Sequence, residues 1–251
     1  MHAVGADKLS SGMMFSFIIP AHNEEKLLPR TLESIHAAAK AVGEPYEIIV
    51  ADDASTDATA DIARQHGAKV VTVDHRQISR TRNSGAAEAT GDVFVFVDAD
   101  TMINEAVLRG VRAEINHGAV GGGAGIGFDG KLPLYGRLLL RPVDFLYHRL
   151  AGYAYGCFVY CTREAFQAVG GFDETLFASE EITMSIALRR EGRFVLLREP
   201  VTTSGRKLRT YSFWEALRIL LGFILGGGQR TMKSRDRLGL WYDPRRPDTE
   251  E

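Results

Sequence analysis

The 251-residue sequence lacks several features that would restrict its function. It has no run of eighteen uncharged apolar residues, so no membrane-spanning helix is expected. Its first fourteen residues, MHAVGADKLSSGMM, lack the apolar core of a signal peptide, which favours a cytoplasmic location. The formal net charge is only −2, so no general attraction to nucleic acid is expected.

Cysteine is also scarce, because Cys157 and Cys161 are the only two cysteines in the chain. Both lie in the segment CFVYC, and no second pair exists elsewhere to complete a zinc site. Two cysteines in a chain without an export signal predict reduced thiols in a cytosolic protein.

The sequence does contain a regular alternation of short apolar runs and segments with helical spacing. Strands are predicted at 15–20, 46–53, 69–74 and 93–98, and helices within 23–43, 54–67 and 78–91. Strands separated by helices are typical of an α/β fold, in which a parallel sheet carries helices on both faces. Ligands of such sheets bind outside the carboxyl ends of the strands.

Polar residues follow three of these strands, in PAHNEE, ADDAST and DADT. Thr56 and Asp57 are expected to cap the next helix. Asp98 and Asp100 are different, because strand alternation places both on one side, where two like charges need a cation or a proton between them. Carboxylate oxygens suit Mg²⁺ or Mn²⁺, whose shell is commonly completed by substrate phosphates. Asp-x-Asp alone is a weak motif that often occurs by chance.

The glycine-rich segment GIGFDG (125–130) matches the spacing of a dinucleotide-binding loop. It does not follow the first strand, and a proline comes soon after it, whereas that motif requires a strand before and a helix after. We interpret it as a flexible turn between strands, although the overlapping segment AVGGGAGIGF (119–128) also has the pattern of a glycine-rich strand region.

The second half of the chain contains a further carboxylate pair. Ser179 is expected to cap a helix whose first turn holds Glu180 and Glu181 and which ends at Gly192. As a structural interpretation, the two acids only favour the positive end of that helix. Residues 206 to 237 are strongly basic and enclose the apolar segment 211–225.

In order, the segments FSFIIPAHNEE, EIIVADDASTDAT, RTRNSGAAEATGDVFVFVDADT and GGFDETLFASEE resemble the family 2 glycosyltransferases. The resemblance covers about residues 15–200. It implies a GT-A fold and inverting transfer of one sugar from a nucleotide-diphosphate sugar to an acceptor hydroxyl. It also implies a donor-binding half at 15–110 and an acceptor-binding half at 111–205, between an N-terminal extension (1–14) and a C-terminal tail (206–251).

The resemblance also implies roles for single residues. Asp98 and Asp100 would bind Mg²⁺ or Mn²⁺, and Glu181 would act as the general base, with Glu180 as its nearest competitor. The family usually has Asp at the second position, so Glu181 is one methylene longer. The residues expected to contact the nucleotide sugar are Pro20, Ala21, Glu24, Asp52, Asp53, Arg80, Arg82, Asn83, Asp98, Ala99 and Arg206.

Two features of the C-terminal region bear on the acceptor. The sequence lacks the Gln-x-x-Arg-Trp motif of processive polysaccharide synthases and has TSGRKLRTY instead, which favours single-sugar transfer. Within that segment Arg206 and Lys207 either close over the diphosphate or are solvated surface charges.

The segment 211–225 has an apolar stripe flanked by basic residues, and 135–150 has a similar mixture. This pattern predicts contact with the inner face of a membrane and a lipid-linked acceptor or cell-envelope glycan. The alternative is that these helices pack on the domain or form a homodimer contact. The stripe residues are Phe213, Leu217, Leu220, Leu221 and Ile224.

Two other classes of protein stay open at this point. A nucleotidyltransferase also uses a metal site on an α/β sheet, but it would need a glycine-rich and basic phosphate loop where PAHNEEK supplies acids. A non-catalytic nucleotide-sugar-binding protein would not need the carboxylates at 98, 100, 180 and 181.

Overall fold

The protein is represented by a computed structural model that describes residues 12–133, 135–136, 145–210 and 214–215. Eight strands form one sheet in the order β3-β2-β1-β4-β7-β6-β8-β5. The strands are β1 (Phe15–Ala21), β2 (Tyr46–Asp53), β3 (Lys69–Val73), β4 (Val93–Val97), β5 (Thr101–Met102), β6 (Ala119–Phe128), β7 (Phe158–Thr162) and β8 (Arg193–Thr203). The helices are α1 (Leu28–Val42), α2 (Thr59–Gln65), α3 (Ile78–Ala87), α4 (Glu105–Asn116), a π-helical segment (Phe145–Leu150), α5 (Arg163–Val169), α6 (Glu180–Glu191) and α7 (Arg206–Thr210).

The central strand β4 explains how this sheet is covered on both faces. Side chains alternate between the two sides of a strand, and in VFVFV the three valines enter one core while Phe94 and Phe96 enter the other. The first core also contains apolar residues of α1 and α4, and the second contains residues of α3, α5 and α6. The predicted α/β fold with helices on both faces is therefore confirmed.

The sheet is parallel in its first half and mixed in its second. Strand β1 pairs in parallel with β2 and β4, and β2 pairs in parallel with β3. Strand β7 then lies antiparallel between β4 and β6, and β8 is parallel to β6 but antiparallel to β5. The carboxyl ends of β1, β2 and β4 meet at one edge, as predicted, while antiparallel β7 brings its amino end to the same edge.

Two local predictions about glycine and serine are wrong. Residues 125–128 of GIGFDG belong to β6, so the flexible turn is wrong there, whereas the predicted strand region AVGGGAGIGF is confirmed as β6. The glycines of β6 permit close packing, because a Cβ on Gly122 would lie 1.8 Å from the carbonyl oxygen of Val195. Ser179 does precede α6, but it has a left-handed backbone (φ 62°) and its side chain makes no capping hydrogen bond.

Helix α1 begins later than its apolar pattern predicts. It starts at Leu28, because residues 22–27 form a loop in which Asn23 has a left-handed φ of 52°. Pro29 occupies the first turn, where its missing N–H costs nothing. Asp57 does bond the backbone N–H of Thr59 at the start of α2, at 3.0 Å, as predicted. Thr56 instead donates its N–H to Asn23 at 2.8 Å and does not cap α2.

Candidate active site

The buried side chain of Arg82, on α3, connects the two carboxylate groups that the sequence singles out. Its Nη1 lies 2.5 Å from Oε1 of Glu180, and its Nη2 lies 2.8 Å from Oδ1 of Asp98. Nη2 also donates to the carbonyl oxygen of Gly156 at 2.6 Å. Arg82 is only 1% exposed, so one buried guanidinium joins the end of β4 to the start of α6.

Arg82 remains charged in this position. Asp98 and Glu180 raise its pKa further although burial alone would lower it. The guanidinium also lies over the ring of Phe172, with Cζ 5.2 Å from the ring centroid. Within the described residues its Nε has no hydrogen-bond partner. A buried cation held by two acids is costly to disturb, because losing one partner leaves an uncompensated charge.

Glu181 has surroundings unlike those of Glu180, although the two are adjacent on α6. Its Oε1 accepts a hydrogen bond of 2.7 Å from the hydroxyl of Tyr147, in the π-helical segment. Burial and the negative charge of Glu180 raise the pKa of Glu181 to about 7. A carboxylate with a pKa near 7 can accept a proton at neutral pH.

Asp98 and Asp100 lie beyond the end of β4, which stops at Val97, so they occupy a turn rather than the strand itself. The N–H of Asp98 donates to the carbonyl oxygen of Cys157 at 3.1 Å, which ties this turn to the start of β7. Nη2 of Arg206 lies 3.9 Å from Oδ2 of Asp100 and 3.6 Å from Oε2 of Glu24. Glu24, Asp100 and Arg206 thus meet at the carboxyl edge of the sheet.

These residues fit a divalent cation that shares its ligands with a substrate. No group of three or more His, Cys, Asp or Glu side chains converges on a metal position within the described residues. The described residues therefore offer two carboxylates at this position, Asp98 and Asp100. Oδ1 of Asp98 already accepts a hydrogen bond from Arg82. Mg²⁺ and Mn²⁺ are commonly held by one or two carboxylates, with substrate phosphates completing the shell.

Asp52 and Asp53, at the end of β2, differ in what their carboxylates bind. Both oxygens of Asp53 are occupied, accepting from the N–H groups of His75, Arg76 and Gln77 and from the hydroxyl of Thr81, at 2.7 to 3.3 Å. Oδ1 of Asp52 is buried and has no hydrogen-bond partner among the described residues. Asp53 thus fixes the chain before α3, whereas contact of Asp52 with a nucleotide sugar stays a prediction.

Other expected contact residues bind protein groups. Asn83 exchanges hydrogen bonds with the backbone of Phe172 and also donates to Glu174. Arg80 forms an exposed ion pair with Glu174 at 3.4 Å. Both therefore hold the loop before α6, and their contact with a nucleotide sugar stays a prediction.

The remaining expected contact residues lie at the same edge of the sheet. Pro20 and Ala21 end β1 and are buried. Ala99 is buried, and its carbonyl oxygen accepts from Thr31 of α1 at 2.9 Å.

Arg206 is buried at 8% exposure, so the interpretation of Arg206 as a solvated surface charge is wrong. The side chain of Lys207 and nearly all of the segment 211–225 lie outside the described residues, as does 137–144 of the second apolar segment.

A cavity of about 500 Å³ opens beside the carboxyl edge of the sheet. It is lined by Lys26, Leu27, Arg30, Asp129, Gly130, Ser204 and Arg209. Ser204 connects it to the site, because its N–H donates to the carbonyl oxygen of Asp100 at 3.1 Å.

No pattern in the sequence identifies Tyr147, Gly156 or Phe172 as site residues. Each contacts Arg82 or Glu181 across a long chain separation, and only the folded sheet brings them together.

Cys157 and Cys161 are both free, as predicted. None of the helices in the described part of the chain is long and apolar enough to cross a bilayer.

Part of this chain is similar in sequence to known proteins. The family model described as "Glycosyl transferase family 2" matches residues 16–170, more than half of the chain. The 4,4'-diaponeurosporenoate glycosyltransferase of Staphylococcus haemolyticus is 44% identical over 96 residues, which cover 36% of this chain and 24% of that protein. The undecaprenyl-phosphate 4-deoxy-4-formamido-L-arabinose transferase of Serratia proteamaculans is 39% identical over 93 residues, which cover 34% of this chain and 28% of that protein. The chain thus matches only about a quarter of the length of these curated relatives.

A solved structure matches over far more of the chain. The mannosyltransferase PcManGT of Pyrobaculum calidifontis, in complex with GDP-Man and Mn²⁺, superimposes with a TM-score of 0.63 at 18% identity. The match covers 93% of this chain and 70% of that one. At this identity the similarity establishes the GT-A glycosyltransferase fold.

Proposed function

Because the chain belongs to glycosyl transferase family 2, we propose that it transfers one sugar from a nucleotide-diphosphate sugar to an acceptor hydroxyl, with Glu181 as the general base. The observation that carries this proposal is the difference between two adjacent carboxylates. Glu180 is neutralised by buried Arg82, whereas Glu181 accepts a hydrogen bond from the neutral hydroxyl of Tyr147 and has a pKa raised to about 7.

The reaction uses these groups as follows. The acceptor oxygen attacks the anomeric carbon from the face opposite the diphosphate, and the bond between that carbon and the diphosphate oxygen breaks. Glu181 takes the proton of the acceptor hydroxyl as the new bond forms. The anomeric configuration is inverted, and a nucleoside diphosphate leaves.

The donor end of the site has the chemistry that the leaving group requires. Asp98 and Asp100 are the residues that would hold Mg²⁺ or Mn²⁺, which when bound stabilises the negative charge of the leaving diphosphate. Arg206 brings a buried positive charge to the same edge, 3.9 Å from Asp100. The unpartnered Oδ1 of Asp52 supports a contact with the nucleoside.

For the acceptor, we propose a hydroxyl compound linked to lipid and reached by peripheral contact with a membrane. Two of the three most exposed large apolar side chains in the described residues, Leu150 and Trp214, lie in the two segments predicted to meet lipid, at 71% and 74% exposure. A relative from Serratia proteamaculans is named for transfer involving undecaprenyl phosphate, which agrees with this acceptor class.

The experiment is a product analysis with a panel of UDP- and GDP-sugars and Mn²⁺. Sugar transfer, to an acceptor or to water, releases a free nucleoside diphosphate from these donors, whereas a nucleotidyltransferase releases pyrophosphate in a parallel reaction that contains a nucleoside triphosphate and a sugar 1-phosphate. We expect nucleoside diphosphate, and we expect both EDTA and Asp100→Ala to abolish its release while the protein stays folded, because Asp100 lies in a turn outside the two cores. Pyrophosphate release, or full turnover in EDTA, would contradict the proposal, and absence of turnover with every donor would favour a non-catalytic binding protein.

A further inference from the structure

Glu181 lies at the centre of contacts that join three separate segments of the chain. Tyr147 donates to its Oε1 from the π-helical segment. The hydroxyl of Ser185, one turn along α6, donates to the carbonyl oxygen of Glu181 at 2.7 Å and accepts from the N–H of Ala154 at 3.1 Å. The Tyr147 hydroxyl also lies 3.3 Å from the carbonyl oxygen of Ala154. The loop around Ala154, α6 and the π-helical segment therefore enclose this carboxylate together.

Aromatic packing fixes the ring that makes the contact. Tyr147 stacks on Tyr155 with ring centroids 5.3 Å apart, and Tyr155 stacks in turn on His148 at 5.1 Å. The ring of Tyr153 meets Tyr147 edge-on at 5.6 Å. A phenol held by such contacts loses little further freedom when its hydroxyl binds a carboxylate. Short π-helical segments are frequent at functional sites, in agreement with a specific role for this turn.

The second oxygen of Glu181 faces a different environment. A methyl group added at Gly156 would lie 3.4 Å from Oε2 of Glu181 and 3.8 Å from Nη2 of Arg82. Oε2 therefore faces the narrow space above Gly156, toward the guanidinium that also binds Asp98. Oε2 of Glu181 and Nη2 of Arg82, which donates to Asp98, therefore both border this space.

We propose that Tyr147 is a positioning residue for the catalytic base. Its hydroxyl fixes Oε1 of Glu181, so that Oε2 faces the space beside Gly156, where the acceptor hydroxyl gives up its proton. The inference rests on the proposed function only for the role of Glu181 as the base; the effect of Tyr147 on that carboxylate is a separate property that is measured without substrate.

The charges around Glu181 set the direction of the expected effect. Glu180 on its own helix disfavours the ionised form, and Arg82 from α3 favours it. The Tyr147 hydroxyl also favours the ionised form, because it donates a hydrogen bond to the carboxylate. His148, Tyr153 and Tyr155 are the other titratable side chains in the surrounding aromatic cluster. Removing the hydroxyl of Tyr147 should therefore raise the pKa of Glu181.

The test compares Tyr147→Phe with Tyr153→Phe, which removes a hydroxyl from the same aromatic cluster. The Glu181 carboxyl is titrated by carbon-13 NMR, with its resonance assigned from its absence in Glu181→Gln. We expect a midpoint of about 7 in the parent protein, a midpoint about one pH unit higher in Tyr147→Phe, and no change in Tyr153→Phe. An unchanged or lower midpoint in Tyr147→Phe, with an intact fold by thermal unfolding, would overturn the inference.

Nucleotide-sugar hydrolysis then tests the catalytic part. The acidic limb of the rate profile should move with the titration midpoint, and the rate above that limb should fall on the order of tenfold because the base is less well oriented. If Glu181→Gln hydrolyses the donor at the parent rate, the base of the proposed function is wrong, whereas the NMR result still decides whether Tyr147 controls the carboxylate. If Glu181→Gln is inactive and Tyr147→Phe keeps the parent rate and profile, only the inference about Tyr147 fails.

Discussion

At the scale of single residues, adjacent acids of one type acquire different chemistry from what they contact. Asp53 is saturated by four protein donors, whereas one oxygen of Asp52 has no partner among the residues that the structure describes. Glu180 pairs with a buried guanidinium, whereas Glu181 accepts from a phenol. Residue type and spacing identify these pairs but do not say which member is structural.

The Asp52–Asp53 pair allows a direct prediction. We expect Asp52→Asn to weaken nucleotide-sugar binding at least tenfold with little loss of stability, since Oδ1 of Asp52 bonds no described protein group. Asp53→Ala should instead lower the free energy of unfolding by about 1–3 kcal/mol, because it leaves buried donors before α3 unpaired. Urea unfolding and donor-binding calorimetry on both variants separate the two effects. Weaker donor binding in Asp53→Ala, together with a loss of stability in Asp52→Asn, would show that Asp53 is the residue that contacts the nucleotide.

Arg82 gives the second prediction at this scale. Arg82→Met leaves buried Glu180 without its cation, and breaking a buried pair in this way costs about 3–5 kcal/mol. Arg80→Met is the matched control, since its ion pair with Glu174 is half exposed and such pairs contribute about 0–1 kcal/mol. Urea unfolding of the two variants should differ accordingly. Equal losses would mean that Arg82 does not link β4 to α6 energetically.

At the scale of elements, the sequence predicts strands better than the starts of helices. Strand β2 has the predicted bounds, and β4 ends one residue before the predicted end, because continuous apolar runs are the signature of buried strands. The start of α1 was predicted too early, since the apolar pattern continues into a loop whose end is marked only by Pro29.

The position of β7 and the role of the π-helical segment could not be predicted for a different reason. Both depend on pairing across distant parts of the chain, with β7 antiparallel to β4 and Tyr147 bonded to Glu181. The resemblance to family 2 glycosyltransferases supplied the positions of Glu180, Glu181, Asp98 and Asp100. It did not supply the guanidinium of Arg82 as the group that joins them, because the burial of a charge is a property of the folded molecule.

At the scale of the whole molecule, the donor end and the proposed base meet where two halves of one sheet join. The parallel strands bring Asp52 and Asp98 to the edge, and β7, β8 and α6 bring Gly156, Arg206 and Glu181 toward them. An acceptor would then approach from the side of the second half. The basic residues at 206–237 follow this half directly in the sequence.

Membrane contact is the prediction that belongs to this scale. The protein should float with liposomes that contain anionic lipid, at low salt, and dissociate as salt rises, because charge attraction is screened over about 10 Å at 0.1 M. Trp214→Glu should reduce flotation, whereas Ile186→Glu on α6, a partly exposed apolar residue in neither predicted lipid segment, should not. Protein that stays wholly at the bottom of the gradient at low salt would rule out the contact and favour packing on the domain or a homodimer.

The most direct test of the account is the rate of nucleotide-sugar turnover by Glu181→Gln, measured beside Glu180→Gln. Loss of a general base costs about a hundredfold to ten-thousandfold in rate, and donor affinity should hardly change, because Glu181 is not among the residues expected to contact the nucleotide sugar. Glu180→Gln should mainly lower stability, since Glu180 holds Arg82. We expect a collapse of turnover in Glu181→Gln with normal donor binding. A near-normal rate in Glu181→Gln would contradict the role of Glu181 as the base, whether turnover collapses in Glu180→Gln or stays near normal there as well.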